Sequence, residues 1–424
     1  MHHHALRRSL VVVSLALSIA ACTPTPPSPP TSPSPPSPPP GSAEPSASPA
    51  SSPSAAITGL DGELTIWHPY PDVPGLERQA LDEVLERVRA ANPGLAVNVL
   101  AIPADTMIAR YLADVATGSG PDLMLADDRA LAAMIEAGAI VELDAGIRAR
   151  LGAVSDVAIA GASVGDSLWL IPGSLIASGM LYDSATIPTP PATTEALLSA
   201  VGGGRVKAGL PGGAEGTELL SAWWPAFGGR LLDDGGACVA DQGGVADAFA
   251  YLASLKEAGA TFFSDRASLA DAFLAGEVDL IFDVPAAAAA YRARKPTIAG
   301  VAFPPGPAGP AVPMVGVEGW YVSPNSPSPD LAASFAQAMT DIAAEQVFAA
   351  RAGHIPAHPG SAIDDPIAEA IAATIVPAGI RPQGATADAF RTAFTEALEG
   401  VLNEGDDPAD AVSEACTQMN EALR

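Results

Sequence analysis

Residues 161–165, GASVG, match the G-x-S-x-G spacing that can set a serine on a sharp turn for nucleophilic attack. His354 and several acids follow, so chain order alone permits a serine–histidine–acid arrangement. The neighbours of Ser163 weigh against it. GDSLWLIP reads as a turn and a strand, where a nucleophile elbow needs a helix. His354 and His358 have zinc-like spacing, but prolines interrupt them and no second ligand pair accompanies them. Asp233-Asp234 and Asp364-Asp365 are acid pairs of the kind glycoside hydrolysis uses. Their Gly and Pro neighbours mark surface loops. No phosphate loop and no EF-hand loop is present, and neither a metal nor a cofactor is expected.

The elements that would position functional groups are clearer. ELTIWHPY (63–70) alternates and then meets proline, which reads as a strand ending in a loop. In 75–94, Leu76, Ala80, Leu81, Val84, Leu85 and Val88 recur at helical spacing, and Asn92-Pro93-Gly94 stops the helix. LAVNVLAI (95–102) is a second strand, 105–118 a second helix, and DLMLAD (122–127) a third strand. Strand–helix repetition implies an α/β fold with a parallel sheet. Ligands of such sheets sit at the carboxyl ends of the strands, here marked by Trp67, His68, Tyr70, Asp127 and Asp128. A second alternating region covers about 205–300, with helices at 217–229, 243–259 and 266–276 and strands at 278–285 and 297–309. Extended segments at 167–172, 176–183 and 313–324 lie outside it.

The chain opens with Arg7, Arg8 and a short apolar run ending in IAAC, so residues 1–21 read as an export signal. The run is too short for a comfortable membrane span. From Thr23 to Ala56 the chain holds 14 of its 42 prolines among Ser, Thr and Ala. Such a segment cannot offset its ordering entropy by burial, and as extended polyproline at ~3.1 Å per residue it would reach roughly 100 Å. The body from about Ile57 to Arg424 is long enough for more than one domain. The formal charge of −27 repels nucleic acid and anionic lipid, so neither is an expected partner. Cys238 and Cys416 can oxidise outside the cytoplasm, but the sequence does not say whether they meet.

IAAC resembles the lipobox of bacterial lipoproteins, which implies lipidation of Cys22 and a disordered tether over 22–56. The body resembles the extracellular solute-binding proteins of ATP-driven importers, in the group with maltose- and oligosaccharide-binding proteins. The pieces that carry this are ELTIWH; SGPDLMLADDRALAAMIEAGAIVELD; LIPGSLIASGMLYDSATIPTPPATTEALL; DAFLAGEVDLIFDVP; the stretch VAFPPGPAGPAVPMVGVEGWYVSP; and EGDDPADAVSEACTQMNEAL, in the family's order. The resemblance implies a two-lobe, type II periplasmic-binding-protein-like α/β fold with ligand in the cleft between the lobes. It implies an N-terminal lobe of 57–175 plus 311–352 and a C-terminal lobe of 176–310 plus 353–424. Both cysteines then fall in the second lobe, which favours their pairing. The role implied is capture of a solute, a sugar or oligosaccharide, by lobe closure. The partner implied is an ABC permease, with a monomer held at the outer face of the membrane through its lipid alone and no catalysis. A polyol, an amino-acid derivative or a polyamine is the alternative solute, and a tethered hydrolase acting through Ser163 the distant one.

Sugars are read by aromatic faces together with carboxylates and amides. The resemblance points to His68 and Tyr70 after the first strand, Asp127 and Asp128 after the third, and Glu318, Trp320 and Tyr321 in GVEGWYVSP. Glu215 and Thr217 begin the helix that carries Trp223 and Trp224, and Trp224 is the candidate there. Two positions depart from the family. Ala286 in DVPAA stands where oligosaccharide binders carry a stacking aromatic, and Ile176 stands where some maltose binders carry an acid.

Overall fold

The computed structural model describes residues 57–73 and 75–424. The export signal, Cys22 and the proline-rich segment lie outside the described residues. Strands β1 (Gly62–His68), β2 (Leu95–Ala101) and β3 (Leu123–Asp127) are parallel, with β1 between the other two. Helix Leu76–Ala91 joins β1 to β2 and buries Ala80, Leu81, Val84, Leu85 and Val88. It ends where the Asn92 amide donates to Val88 O at 2.9 Å and its Oδ1 accepts from Leu60 N. That side chain closes the helix and ties down the strand entry, so the Asn-Pro-Gly stop acts through tertiary contacts as well as local ones.

The first sheet is completed by strands from later in the chain. After a small hairpin of β4 (Ser163–Val164) and β5 (Ser167–Leu168) comes β6 (Ile171–Ile176). The chain then leaves through Ala177 and Ser178 to β7 (Gly179–Asp183), the centre of a second sheet. That sheet is flanked by β8 (Gly209–Pro211) with β9 (Thr261–Phe263), and contains β10 (Leu280–Asp283) and β11 (Ile298–Val301) on either side of β7. A bridge from Ala208 to Leu280 joins the β8–β9 pair to it. The chain returns as β12 (Gly316–Val322) and, after two helices, β13 (Ile355–Pro356). The six-stranded order is β13-β6-β12-β3-β1-β2, with β12 antiparallel to both its neighbours. The expected helix over 217–229 is shorter: it runs Gly213–Leu220 and gives way to 3-10 turns at Ser221–Trp223 and Pro225–Phe227. Pro225 cannot continue an α-helical hydrogen-bond ladder.

Each sheet has its own apolar core. The first gathers Trp67, Tyr111, Trp320, Tyr321 and Phe335; the second gathers Trp223, Trp224, Phe249, Phe282, Phe390 and Phe394. Cys238 and Cys416 are joined by a disulfide that fixes the C-terminal helix Pro408–Ala422 to the loop before helix Val245–Glu257.

Behind β13 lies a buried polar brace. Glu345 accepts from His358 N at 2.9 Å and from the Ser361 hydroxyl at 3.0 Å. The His358 ring spans from Glu345 (Nδ1, 2.8 Å) to the Leu151 carbonyl (Nε2, 2.9 Å). Burial pulls the His358 pKa down, but the bond to Glu345, its charge and the Leu151 carbonyl outweigh this and hold it above its ordinary value. Burial likewise raises Glu345, and its bonds to His358 and Ser361 only partly offset that. Both groups therefore bind protons more tightly in the folded chain. The His358 contribution is present below the unfolded histidine pKa of about 6.5 and is lost as pH rises through the folded one; that of Glu345 is present below the unfolded glutamate pKa of about 4.3 and is lost as pH rises through its own raised value. His358→Gln should cost about 1–3 kcal/mol in urea unfolding below that pH, by removing a bond to a buried carboxylate. The wild-type advantage should shrink at alkaline pH; a gap independent of pH would show that the brace does not hold a proton.

Candidate functional site

A cavity of about 1150 Å³ opens between the two sheets. One wall comes from the carboxyl ends of β1 and β3, with Tyr70, Ala126 and Asp127, and from the start of helix Leu76–Ala91, with Glu77. The opposite wall comes from Glu215, Glu218 and Leu219 on helix Gly213–Leu220, Arg266 on helix Arg266–Ala275, and Asp283 with helix Pro285–Tyr291. The crossing segment Ser174–Ser178, Met314, Glu318, His354 and Arg381 lie between the walls.

Of the residues expected from sequence, Tyr70, Asp127, Glu215 and Glu318 line this cavity. The others do not. His68 is fully buried: its Nδ1 accepts from Tyr70 N at 3.2 Å and its Nε2 lies 3.3 Å from Arg78. Burial and the Arg78 charge push its pKa down to about 4, so it is a neutral ring that shapes the Tyr70 turn. Asp128 sits behind the wall, bonded to Arg381 at 2.6 Å and to Gln383 at 2.8 Å. The Thr217 hydroxyl donates to Gly213 O, one helical turn back. Trp224 is core, packed on Phe249, Phe390 and Phe394.

Trp320 and Tyr321 are displaced from the cavity for a topological reason. Because β12 runs antiparallel to β3, its first residues meet the ligand-facing end of β3: Glu318 pairs with Asp127. Trp320 and Tyr321 pair with Leu125 and Met124, deeper in the sheet. The Trp320 ring packs on Phe335, and the Tyr321 hydroxyl donates to Asp127 O at 2.9 Å.

Two polar clusters organise the cavity. In the first, the Tyr70 hydroxyl donates to Glu318, and His354 lies between Glu77 (Nε2, 3.1 Å) and Glu318 (Nδ1, 3.9 Å). Burial lowers the His354 pKa, but the bond to Glu77 and the charges of Glu318 and Glu77 bring it above its ordinary value. Glu318 is pushed up, first by burial. Burial also raises Glu77, but His354 and then Arg266 outweigh that and leave it lowered.

In the second cluster Arg129, just past β3, binds Asp127 beside it and reaches across to Glu218 at 3.3 Å. Arg381 holds Asp128 and lies with its Nε 2.7 Å from the same Glu218. That Nε–H is not aimed well enough to count as a hydrogen bond, so the contact is an ion pair. Arg381 is packed onto Gly316, where a Cβ would come within 2.7 Å of the guanidinium. Nearby, Arg266 binds Asp283, which also accepts from the Tyr291 hydroxyl at 2.9 Å.

Glu77, Arg129, Glu218, Arg266, Asp283, His354 and Arg381 were not singled out as solute-binding residues from the sequence. Asp283 carried a usable signal as the last residue of a strand, and Glu77 a weaker one at the start of the helix that follows β1. The rest come together only in three dimensions. Ile176 and Ala286, the two departures, both line the cavity. Ser163 donates to Ile159 O at 2.7 Å on the β4–β5 hairpin without a following helix, and the His354 ring bonds Glu77. Asp233 accepts from Gly235 N and Ala237 N in a turn, and Asp365 caps helix Pro366–Ala372. Among the described residues no three His, Cys, Asp or Glu side chains are grouped as a metal site requires.

The sequence model of the bacterial extracellular solute-binding proteins matches residues 83–375. The chain belongs to this family. Curated relatives are named binding proteins of Brucella abortus (strain 2308) and Brucella suis biovar 1 (strain 1330), each 24% identical over 249 residues. The match covers 54% of this chain and spans only 60% of the length of those relatives. Three solved structures share the fold of this solute-binding protein. The maltotriose-binding protein of Thermus thermophilus has a TM-score of 0.71 at 18% identity, covering 85% of this chain and all of its own. The GacH receptor of Streptomyces glaucescens gives 0.73 at 17%, covering 86% and 99%. The maltose/maltodextrin-binding domain of Bdellovibrio bacteriovorus gives 0.70 at 19%, covering 86% and 100%. The α/β architecture is thus the two-lobe one, and the cavity is its interlobe cleft. The family works outside the cytoplasm, and it and these structures are of binding proteins.

Proposed function

We propose that this solute-binding protein captures a sugar in the cleft, closes its lobes over it and hands it to the transmembrane subunits of an ATP-driven importer. The observation that carries the reading is the cavity itself, large enough for a sugar and walled by polar groups from both sheets. The lobes would be 57–175 plus 311–352 and 176–310 plus 353–424, except that β13 belongs to the first sheet and would move with the first lobe; the crossings would be Ser174–Ser178, Met314 and the stretch that follows β13. Closure would follow from tighter solute binding to the closed form. A lipid on Cys22 would hold the monomer at the outer face of the membrane, with residues 23–56 as its tether.

A thermal-shift screen against neutral, acidic and aminated sugars tests this. Solute at ~100 times its dissociation constant should add about 2.7 kcal/mol. For a chain of this size that raises the melting temperature by at least about a degree. A panel of sugars that leaves the melting temperature unmoved would overturn the sugar reading.

A further inference from the structure

We infer that the sugar carries a protonated amino group, seated against Glu318 and Glu77 on the cleft floor. The inference rests on the sugar reading above and adds a charge to it. Asp105, which also lines the cavity, is exposed to solvent, and most of the other cleft carboxylates have a counter-charge. Asp127 has Arg129; Glu218 has Arg129 and Arg381; Asp283 has Arg266. Glu215 lies 3.9 Å from Arg266. Among the described residues no guanidinium is bonded to Glu318 or Glu77, and the two share one imidazole, at 3.9 and 3.1 Å. Arg266 acts on Glu77 through its field, but its hydrogen bond goes to Asp283.

An ionised carboxylate only accepts hydrogen bonds, and Glu318, with 16% of its side chain exposed, accepts one from Tyr70. What completes it is a donor from the cavity. His354 can supply one positive charge to the two carboxylates; a hydroxyl would satisfy the geometry and leave the second carboxylate without a counter-charge or protonated, whereas an ammonium satisfies both. The walls point the same way. Among the described residues, Tyr70 and Tyr291 are the tyrosines lining the cavity: Tyr70 is 3% exposed against Phe348 and His354, and Tyr291 is half-buried with its hydroxyl held by Asp283. A neutral sugar would find little aromatic face to stack on, so charge has to supply what stacking does not. The chain's charge of −27 draws cations toward the cleft and repels acidic sugars.

The test is calorimetric titration of the full chain with a glucosamine trisaccharide bearing free amines, its N-acetylated counterpart, maltotriose and spermidine. The free-amine sugar should bind at least about tenfold more tightly than the acetylated one, the scale of a charge-assisted bond. That advantage should shrink as salt is raised. Glu318→Gln should lower the affinity for the free-amine sugar by a similar factor, with Glu77→Gln as the second variant and circular dichroism checking that both fold. The wild-type comparison stands even if neither variant folds. Equal or tighter binding of the acetylated sugar or maltotriose keeps the sugar reading and overturns the amine. Binding of spermidine without any sugar overturns the sugar reading and with it the inference. Binding of none of the four overturns the inference as well.

Discussion

Arg381→Ala should cost the fold about 3–5 kcal/mol, the range for removing one partner of a buried ion pair. Arg381 is 5% exposed, Asp128 0% and Glu218 6%. The guanidinium bonds Asp128 at 2.6 Å, and its own backbone N–H donates to Val315 O at the strand crossing. Without it Asp128 keeps only Gln383 as a side-chain partner, while Glu218 keeps Arg129. Urea unfolding of the purified chain would read the loss. Arg381→Lys should recover little, because one ammonium cannot reach two acids in the way a planar fork can. Asp128 offers a sign test. Its pKa is raised, first by burial and against the pull of Arg381. Losing that pull raises it further, so acidification, which protonates Asp128, should narrow the gap between variant and wild type. The triple change Asp128→Leu, Glu218→Met, Arg381→Met should recover most of the stability, since replacing buried ion pairs by apolar residues of similar volume is often neutral. A wild-type urea midpoint for Arg381→Ala alone would show that these ion pairs hold nothing.

Reducing the Cys238–Cys416 disulfide should lower stability by about 2–5 kcal/mol. The bond closes a sequence separation of 178 residues, and long loops give the larger effects in the chain-entropy account. Native contacts at the same place moderate the loss. Asn420 accepts from Cys238 N at 2.9 Å and donates to Cys238 O at 3.3 Å, so the helix keeps a second attachment. The urea midpoint with and without reductant, matched against Cys238→Ala/Cys416→Ala, reads the effect. A midpoint that reductant does not move would mean that helix packing alone sets the stability of this end.

The elements of the first sheet are legible in the sequence because they obey local rules: Val84, Leu85 and Val88 repeat at helical spacing, and β1 alternates before its proline. The layout of the site is only partly legible. Tyr70 and Asp127 stand at the carboxyl ends of β1 and β3, where position along the chain already says which end of the sheet they occupy, whereas Glu318, near the amino end of β12, reaches the same edge only because β12 runs the other way. Trp320 and Tyr321 sit two and three residues beyond Glu318, yet the antiparallel direction of β12 carries them under the sheet. Direction is a property of the whole topology, and no local pattern encodes it. Trp224 follows the helix that brings Glu215 to the cleft, but its place after that helix does not say whether its ring turns to the cleft or to the core. Arg129, Glu218 and Arg381 form one network from positions far apart in the chain, and nothing near any of them announces the other two.

The place of β12 has a consequence for how the chain is made. It sits between β3 and β6, in the interior of the first sheet, yet it is separated from β3 by the whole second sheet. A chain emerging amino terminus first shows β3 and β6 long before their shared neighbour arrives. At ~5–20 residues per second, the stretch from Asp127 to Gly316 takes roughly 10–40 s. Throughout that time β3 has an unpaired interior edge, the kind of surface that recruits strands from other chains. The strands of the second sheet, β7 to β11, are all made during that wait, but Phe390 and Phe394 of its core come later still. Nascent chains released before Val322 should therefore aggregate, whereas chains extended past it should close.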